Sequence, residues 1–325
     1  MGFLPPARVY KSPVTRYTRR NSCKVLAMAF FLKQPRDVWL ATIFSAMIWP
    51  ASASADDTPT KPSLGFSGGV EHFHEAEFSG SGSRLLSESG GRYLITALLD
   101  DKDRYNRDVS FFYHIEASAY LGQINYNGRS QSLDPAQNNI PLDSKTNYQG
   151  GRTEALVGYR FKPFTIRHPV EVIGGVGFDG WSRRIQDGTA ANGTLVSGIQ
   201  ETYRATYGKI ALGLTDVIPS TWHNHLQFGL KAPFSITEDV GLRDLGYDND
   251  VSLSPGNTYS GFIKLIMESP PDKDHPGTML FSVYYDGFRF NPSDSVTAFQ
   301  NGNPVQVYQP ETHIDIIGAQ LGYHF

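Results

Sequence analysis

The last nine residues of the chain constrain its fold more than any other segment. Every second position, counted back from the final residue, is apolar or aromatic: Phe325, Tyr323, Leu321, Ala319 and Ile317. The positions between them are Gly, Gln and His. A period of two with one apolar face predicts a β-strand that lies against lipid. The alternative is the last strand of a soluble β-sandwich.

This segment resembles the C-terminal signature by which bacterial outer-membrane proteins are handed to their assembly machinery. In that signature a final Phe closes a strand of alternating apolar residues. The resemblance implies that Ile317, Ala319, Leu321, Tyr323 and Phe325 act as an assembly signal. It also implies that the assembly machinery and outer-membrane lipid, including lipopolysaccharide, are partners of the chain.

The N-terminal region has the layout of an export signal, which favours the lipid-facing strand over the sandwich. Lys33 and Arg36 precede the apolar run 38–49, and a small-residue stretch, Ala51 to Ala55, follows it. Basic, apolar and small-residue regions in this order predict a cleaved signal peptide. The apolar run is shorter than the ~20 residues that a transmembrane helix needs. We therefore expect export to the outer membrane of a Gram-negative cell.

These features divide the chain into three predicted parts. Residues 1–55 are the signal peptide, in which 1–27 are a gene-model extension because the basic stretch before Met28 is unusually long. Residues 56–63 form a short periplasmic segment, and residues 64–325 form the barrel. The single cysteine, Cys23, lies in the removed part, so we expect no disulfide bond in the mature chain.

Charge excludes one class of partner. The first 55 residues hold eight of the 29 Lys and Arg residues and one of the 32 Asp and Glu residues, which leaves a mature net charge of about −10. Nucleic-acid binding requires a basic surface, so we expect no nucleic acid as partner.

Short segments rich in aromatic, β-branched and Gly residues predict the strands. They lie at 64–78, 91–100, 109–124, 148–162, 170–183, 201–216, 222–236, 257–268, 278–290 and 312–325. The connections between them alternate in length, and the long ones are 79–90, 125–147, 184–200, 237–256 and 291–311. Outer-membrane barrels have short periplasmic turns and longer extracellular loops. The sequence therefore predicts an all-β fold, a single transmembrane antiparallel up-and-down β-barrel of about ten strands.

The same alternation assigns charged residues to the inside of the barrel. A charge on the lipid face near the bilayer midplane costs about 2–4 kcal/mol, so the charged phase of each strand must face the lumen. The predicted lumenal polar network is Glu71, Glu116, Arg152, Glu154, Arg160, Glu171, Asp179, Lys209, Lys231, Lys264 and Asp286. Because an unpaired buried charge is costly, we expect most of these cations to lie beside a carboxylate.

Barrel width favours a non-enzymatic function. A barrel of about eight strands is filled by its own side chains, and an open aqueous channel appears only at about 16. We expect a largely plugged lumen and a surface, structural or ligand-contact function. A narrow solute channel and a hydrolase with a site at the extracellular rim remain as alternatives.

Ten strands with long outer loops resemble the omptins, outer-membrane proteases with an Asp pair and an Asp–His pair on opposite walls of the rim. The resemblance covers topology only. Candidate rim residues are Asp248, Asp250, Asp294, His72, His74, Glu75 and Glu77. The segments 64–73 and 84–90 are also similar to a group of proteobacterial barrels, which implies a fold and brings no mechanism.

Two His-x-His pairs invite a metal interpretation. His72 and His74 lie two residues apart, as do His223 and His225. Zinc normally takes three or four protein ligands, and neither pair has a third nearby in sequence. We therefore predict no metal site, and no motif indicates a cofactor.

Overall fold

A computed structural model gives the fold of this chain. The residues that it describes are 62–101, 110–130, 139–163, 168–270 and 277–325. The predicted signal peptide lies outside the described residues, and the predicted periplasmic segment is described only at Pro62 and Ser63, which already belong to a strand.

Sixteen strands are described, ten of them long. They are β1 (Pro62–Phe78), β2 (Arg84–Asp101), β3 (Ser110–Arg129), β4 (Pro141–Phe161), β5 (Val170–Ile185), β6 (Gly188–Ala190), β7 (Leu195–Val196), β8 (Gln200–Thr215), β9 (His223–Val240), β10 (Val251–Leu253), β11 (Gly256–Asn257), β12 (Ser260–Glu268), β13 (Thr278–Asn291), β14 (Val296–Gln300), β15 (Asn303–Val307) and β16 (Glu311–His324).

The long strands form one closed barrel. Its order is β1-β2-β3-β4-β5-β8-β9-β12-β13-β16, with every neighbouring pair antiparallel, and β16 pairs with β1 to close it. This confirms the prediction of a ten-stranded up-and-down barrel. None of the described helices is long and apolar enough to cross a membrane.

The connections after β1, β3, β5, β9 and β13 share one end of the barrel, which we call the loop end. The rule that outer-membrane barrels place long loops outside predicts that the loop end is extracellular and that the opposite end is the periplasmic end. The long connection predicted at 79–90 is wrong, because β1 continues to Phe78 and β2 begins at Arg84. A five-residue turn joins the two strands.

Most corrections to the strand bounds lie at the loop end. Strand β2 begins at Arg84, β3 continues to Arg129, β4 begins at Pro141 and β9 continues to Val240. In these added residues, apolar and polar side chains alternate less clearly, because the outward positions carry polar side chains instead of apolar ones. The barrel wall is therefore longer than its apolar pattern indicates.

An apolar belt surrounds the barrel below these extensions. Its outward side chains are more than a third exposed and include Leu64, Phe66, Val70, Tyr93, Ile95, Phe111, Leu121, Val157, Val172, Val176, Ile210, Leu230, Phe234, Ile317 and Leu321. A soluble monomer rarely exposes so large an apolar surface, whereas a bilayer covers it. In β1, eight residues follow Val70, so the wall continues about 26 Å along the strand beyond the belt, at ~3.3 Å per residue.

The seam between β1 and β16 joins the first and last strands of the barrel. The Phe325 backbone N–H donates to the Leu64 carbonyl at 2.9 Å, and the Ser63 hydroxyl donates to the Phe325 carbonyl at 3.1 Å. His324 points inward, where its Nδ1 lies 3.4 Å from a Glu268 oxygen. A Cβ on Gly65 would lie 1.9 Å from the His324 ring, so only glycine leaves room for it.

We expect Gly65→Val to weaken this seam. The new side chain displaces His324 from Glu268, and overpacking of this kind costs about 1–3 kcal/mol. A lower temperature for loss of the compact, heat-modifiable band on a gel measures the effect. Gly68→Val is the matched control, because Gly68 faces lipid and a Cβ there meets its nearest neighbour at 3.9 Å. Equal losses in both variants would contradict the close fit of His324 over Gly65.

Candidate functional site

The barrel interior collects the predicted lumenal charges. The structure places all eleven on inward positions, and nine of them are no more than 9% exposed. The side chains of Lys209 and Lys264 are 10% and 19% exposed. Every predicted cation has a carboxylate oxygen within 2.9 Å.

Near the periplasmic end, the interior contains two groups of charges. Arg160 Nη2 lies 2.5 Å from Glu171 Oε1, and His225 Nε2 lies 2.6 Å from the other oxygen of Glu171. In the second group, His114 Nδ1 lies 2.6 Å from Asp100. His225 was considered above as half of a metal pair; it instead contacts the buried Arg160–Glu171 ion pair. The other half, His223, lies 3.4 Å from Asp216 at the surface.

The next layer toward the loop end is held by two Lys–Glu pairs. Lys264 Nζ lies 2.8 Å from Glu116, and Lys209 Nζ lies 2.6 Å from Glu154. The Tyr207 hydroxyl donates to the second oxygen of Glu154 at 2.8 Å. Lys264 on β12 and Glu116 on β3 lie on opposite sides of the barrel, so their contact fixes the two walls across the lumen. Lys209 on β8 and Glu154 on β4 are separated only by β5.

At the middle of the barrel, Arg152 lies between two carboxylates, with 2.9 Å to Asp179 and 3.4 Å to Asp286. Lys231 Nζ lies 2.5 Å from Asp286 and 3.3 Å from the centre of the Phe288 ring. Both sides of the Lys231 ammonium are therefore occupied, one by an anion and one by the negative face of an aromatic ring.

Arg92 forms a second pair at the same level and was not among the predicted residues. Its Nη2 lies 2.6 Å from Glu71 Oε1. The guanidinium carbon lies 4.3 Å from the ring centres of both Phe73 and Tyr120. Because Arg92 is on the inward phase of a predicted strand, the alternation alone could have found it.

A second cluster of charges outside the predicted lumenal network lies nearer the loop end, and we call it the upper carboxylate cluster. It contains Glu75, Glu77, Glu88, Glu201 and Glu238 around a single cation, Arg183. Four of the carboxylates lie 2.9–3.4 Å from the guanidinium, and the fifth, Glu238, accepts from the Tyr203 hydroxyl at 2.9 Å. All six charged side chains are buried.

The residues of this cluster differ in whether the sequence alternation could have predicted that they point inward. Arg183 and Glu201 are on the inward phase of predicted strands and could have been found. Glu88 lies where a loop was predicted. For Glu238 a strict alternation fails, because the pairing of β8 with β9 shifts register between Thr206 and Tyr207, and Pro233 and Glu238 both point inward. A bulge of this kind reverses the phase of the residues that follow it.

An apolar cap closes the loop end above the upper carboxylate cluster. It draws buried side chains from the strand ends and from three of the long connections: Leu86, Tyr126, Leu142, Ile185, Ala190, Val196, Ile199, Val240, Leu242, Leu245, Tyr247, Val251, Leu253, Ala298, Val305 and Val307. Burial in the cap raises the pKa of the Tyr247 hydroxyl. The lengths of these connections, on which their prediction as loops depends, do not indicate a shared core.

The rim candidates occupy unrelated places. Asp248 accepts from the Gly302 backbone N–H at 2.9 Å and so joins two connections of the cap. Asp250 accepts from the Arg243 backbone N–H at 2.9 Å, and Asp294 is exposed. Glu75 and Glu77 point inward, whereas His72 points outward and His74 is its outward neighbour. These positions do not form the two opposed pairs that the omptin resemblance implies.

Small cavities lie inside the described part of the barrel. Two cavities of about 30 and 20 Å³ lie between the ion pairs. A cavity needs ~10–15 Å³ to hold one water molecule, so each has room for one or two. Within the described ranges, no group of three or more His, Cys, Asp or Glu side chains is arranged to hold a metal ion.

A closed ten-stranded barrel with an apolar belt and a charged, filled interior defines an outer-membrane β-barrel. Among solved structures, the outer membrane protease OmpT from Escherichia coli is similar over 84% of this chain and 99% of its own, with 11% identity and a TM-score of 0.51. At that identity the likeness shows the fold alone. It agrees with the ten-stranded topology that the sequence predicts.

Other barrels align less well. The translocator domain of the autotransporter NalP from Neisseria meningitidis matches with a TM-score of 0.34 and 9% identity, over 81% of this chain and 88% of that one. The outer membrane protein OprG from Pseudomonas aeruginosa gives 0.30 and 11%, over 82% and 97%. No protein-family model matches the sequence, and no curated protein matches it.

Proposed function

We propose that this protein is a closed, non-conducting outer-membrane scaffold that functions through its exterior. The observation that carries the proposal is the continuous filling of the lumen, from the His114–Asp100 pair at the periplasmic end to the apolar cap at the loop end. The Lys264–Glu116 and Arg152–Asp286 contacts join strands on opposite walls, so a solute has no wide path between those walls.

The channel alternative needs a continuous wet path, which the ion pairs and the cap oppose. Moving a small ion through the interior would require breaking several buried pairs. We therefore expect no stable conductance steps when the purified, refolded chain is added to a planar bilayer. A porin added at the same molar amount is the positive control. Reproducible unit conductance from the intact chain would overturn the closed-scaffold proposal.

The exterior above the apolar belt offers polar contacts to the outer leaflet. Arg184 and Arg204 point outward on neighbouring strands, and Arg204 lies 2.6 Å from Asp239. Basic side chains at this level suit the phosphates of lipopolysaccharide. Lipopolysaccharide is therefore one proposed partner. The assembly machinery is another, and it would recognise the outward side chains of β16 that end at Phe325.

The rim-hydrolase alternative finds no support in the positions of Asp248, Asp250 and Asp294 at the mouth of the barrel. A hydrolytic site requires a nucleophile or activated water, a base and an orienting group that converge. The cap fills the mouth where such a site would lie. Chemistry on this barrel, if present, has to use the outer wall.

A further inference from the structure

On the outer wall, a serine and a histidine lie within hydrogen-bond distance at the upper edge of the apolar belt. Ser89 Oγ in β2 is 3.1 Å from His72 Nε2 in β1, and the contact is exposed. A nucleophile beside a base at this distance is the arrangement that activates a serine. The pair belongs neither to the lumen nor to the cap.

His74 extends the pair into a row across three strands. In the register of the barrel, His74 lies directly opposite Ser89 on one side and Asp315 on the other. Asp315 is fixed by the Tyr285 hydroxyl at 2.6 Å and by Arg289 Nη2 at 2.5 Å. Serine, histidine and carboxylate therefore occupy neighbouring outward positions.

The depth of the pair identifies the chemistry that it would meet. Below His72 the outward residue of β1 is Val70, and the residue paired with His72 on β16 is Ile317; both are apolar. One position higher, His74 and its partners Ser89 and Asp315 are polar. In a bilayer, this border is where the acyl chains meet the headgroups, so the ester bonds of outer-leaflet lipids lie at the level of Ser89.

The wall beside the pair is open. The residue opposite His72 on β2 is Gly91, and a Cβ added there would meet nothing within 4 Å. Its neighbour on the same face, Tyr93, is 68% exposed and continues the apolar wall downward. An acyl chain can lie along Tyr93 while its ester carbonyl reaches Ser89.

We propose that Ser89 and His72 form an esterase site for acyl esters of outer-leaflet lipids. Ser89 Oγ attacks the ester carbonyl while His72 Nε2 takes the hydroxyl proton. The carbon–oxygen bond to the alcohol breaks, and His72 returns the proton to the leaving alkoxide. Water, deprotonated by His72, then hydrolyses the acyl-serine, which releases a carboxylic acid and restores Ser89.

This inference goes beyond the closed scaffold and uses different residues, so either can fail alone. The test incubates the refolded full-length chain with lipopolysaccharide micelles in one arm and phosphatidylethanolamine micelles in the other. Released fatty acid is measured by mass spectrometry. In parallel, a fluorophosphonate probe is used to label an activated serine. We expect release of fatty acid in at least one arm. The arm in which it is released identifies the lipid that the site cleaves.

Ser89→Ala and His72→Gln should each lower the release at least about 100-fold, the lower range for general acid–base catalysis. Ser87→Ala is the matched control, because Ser87 is the next outward residue of β2, opposite Ala76. An unchanged heat-modifiable band shows that each variant folds. The proposal is overturned if the unaltered chain releases no fatty acid in either arm and takes no label, or if Ser89→Ala is as active as Ser87→Ala.

Discussion

Replacing Arg183 by methionine should lower the free energy of unfolding by about 3–5 kcal/mol, the cost of removing one partner from a buried ion pair. Arg183 is the only cation described in the upper carboxylate cluster, and its side chain is 1% exposed. Without it, five buried carboxyl groups are left without a counter-charge. Denaturant unfolding of the refolded barrel measures the loss.

The same variant should be more stable at pH 5 than at pH 8, because protonated carboxyl groups do not repel each other as carboxylates do. Arg204→Met is the control: Arg204 also has a carboxylate at 2.6 Å, but both side chains are about half exposed. Loss of an exposed pair costs no more than about 1 kcal/mol. Similar losses for the two variants would show that water reaches the upper carboxylate cluster.

The second large effect is expected at the middle of the barrel. Lys231→Met should lower the free energy of unfolding by about 3 kcal/mol, because Asp286 loses its nearest counter-charge in a buried site. The loss should be smaller than that of Arg183→Met, since Arg152 Nη1 remains 3.4 Å from Asp286. The melting temperature of the folded barrel is a suitable measurement.

Arg243→Met is the comparison for this variant. Arg243 lies in the connection after β9, 3.9 Å from Asp250, and its side chain is 67% exposed. Its removal should change the free energy of unfolding by less than about 1 kcal/mol. If Lys231→Met and Arg243→Met have equal effects, the lumen is hydrated, and the channel alternative becomes the better explanation.

The barrel could be predicted from the sequence because contact with lipid requires a regular pattern of apolar side chains in each strand. A strand that crosses the bilayer must show apolar side chains outward at every second position, as Leu226, Phe228 and Leu230 do. Beyond the belt the rule ends, because water tolerates either kind of side chain. The predicted strands therefore stop short at the loop end, where β4 has seven more residues than predicted.

The interior could be predicted only where the alternation was unbroken. Lys231 precedes the bulge near Pro233 and lies on the inward phase of a strict alternation, whereas Glu238 follows the bulge and does not. The pairing of charges across the lumen, such as Lys264 with Glu116, 148 residues apart, has no local signal. The apolar cap is also a long-range arrangement, since its side chains are spaced irregularly along separate connections.

The apolar cap also limits how the surface of this protein can evolve. Loops on a cell surface are under pressure to vary, and independent loops can change one at a time. In this barrel, Leu242, Val196 and Val305 share one core although they belong to three different connections. A substitution at one of these positions must keep its fit with the others, so change in one connection requires compensating substitutions in several connections together.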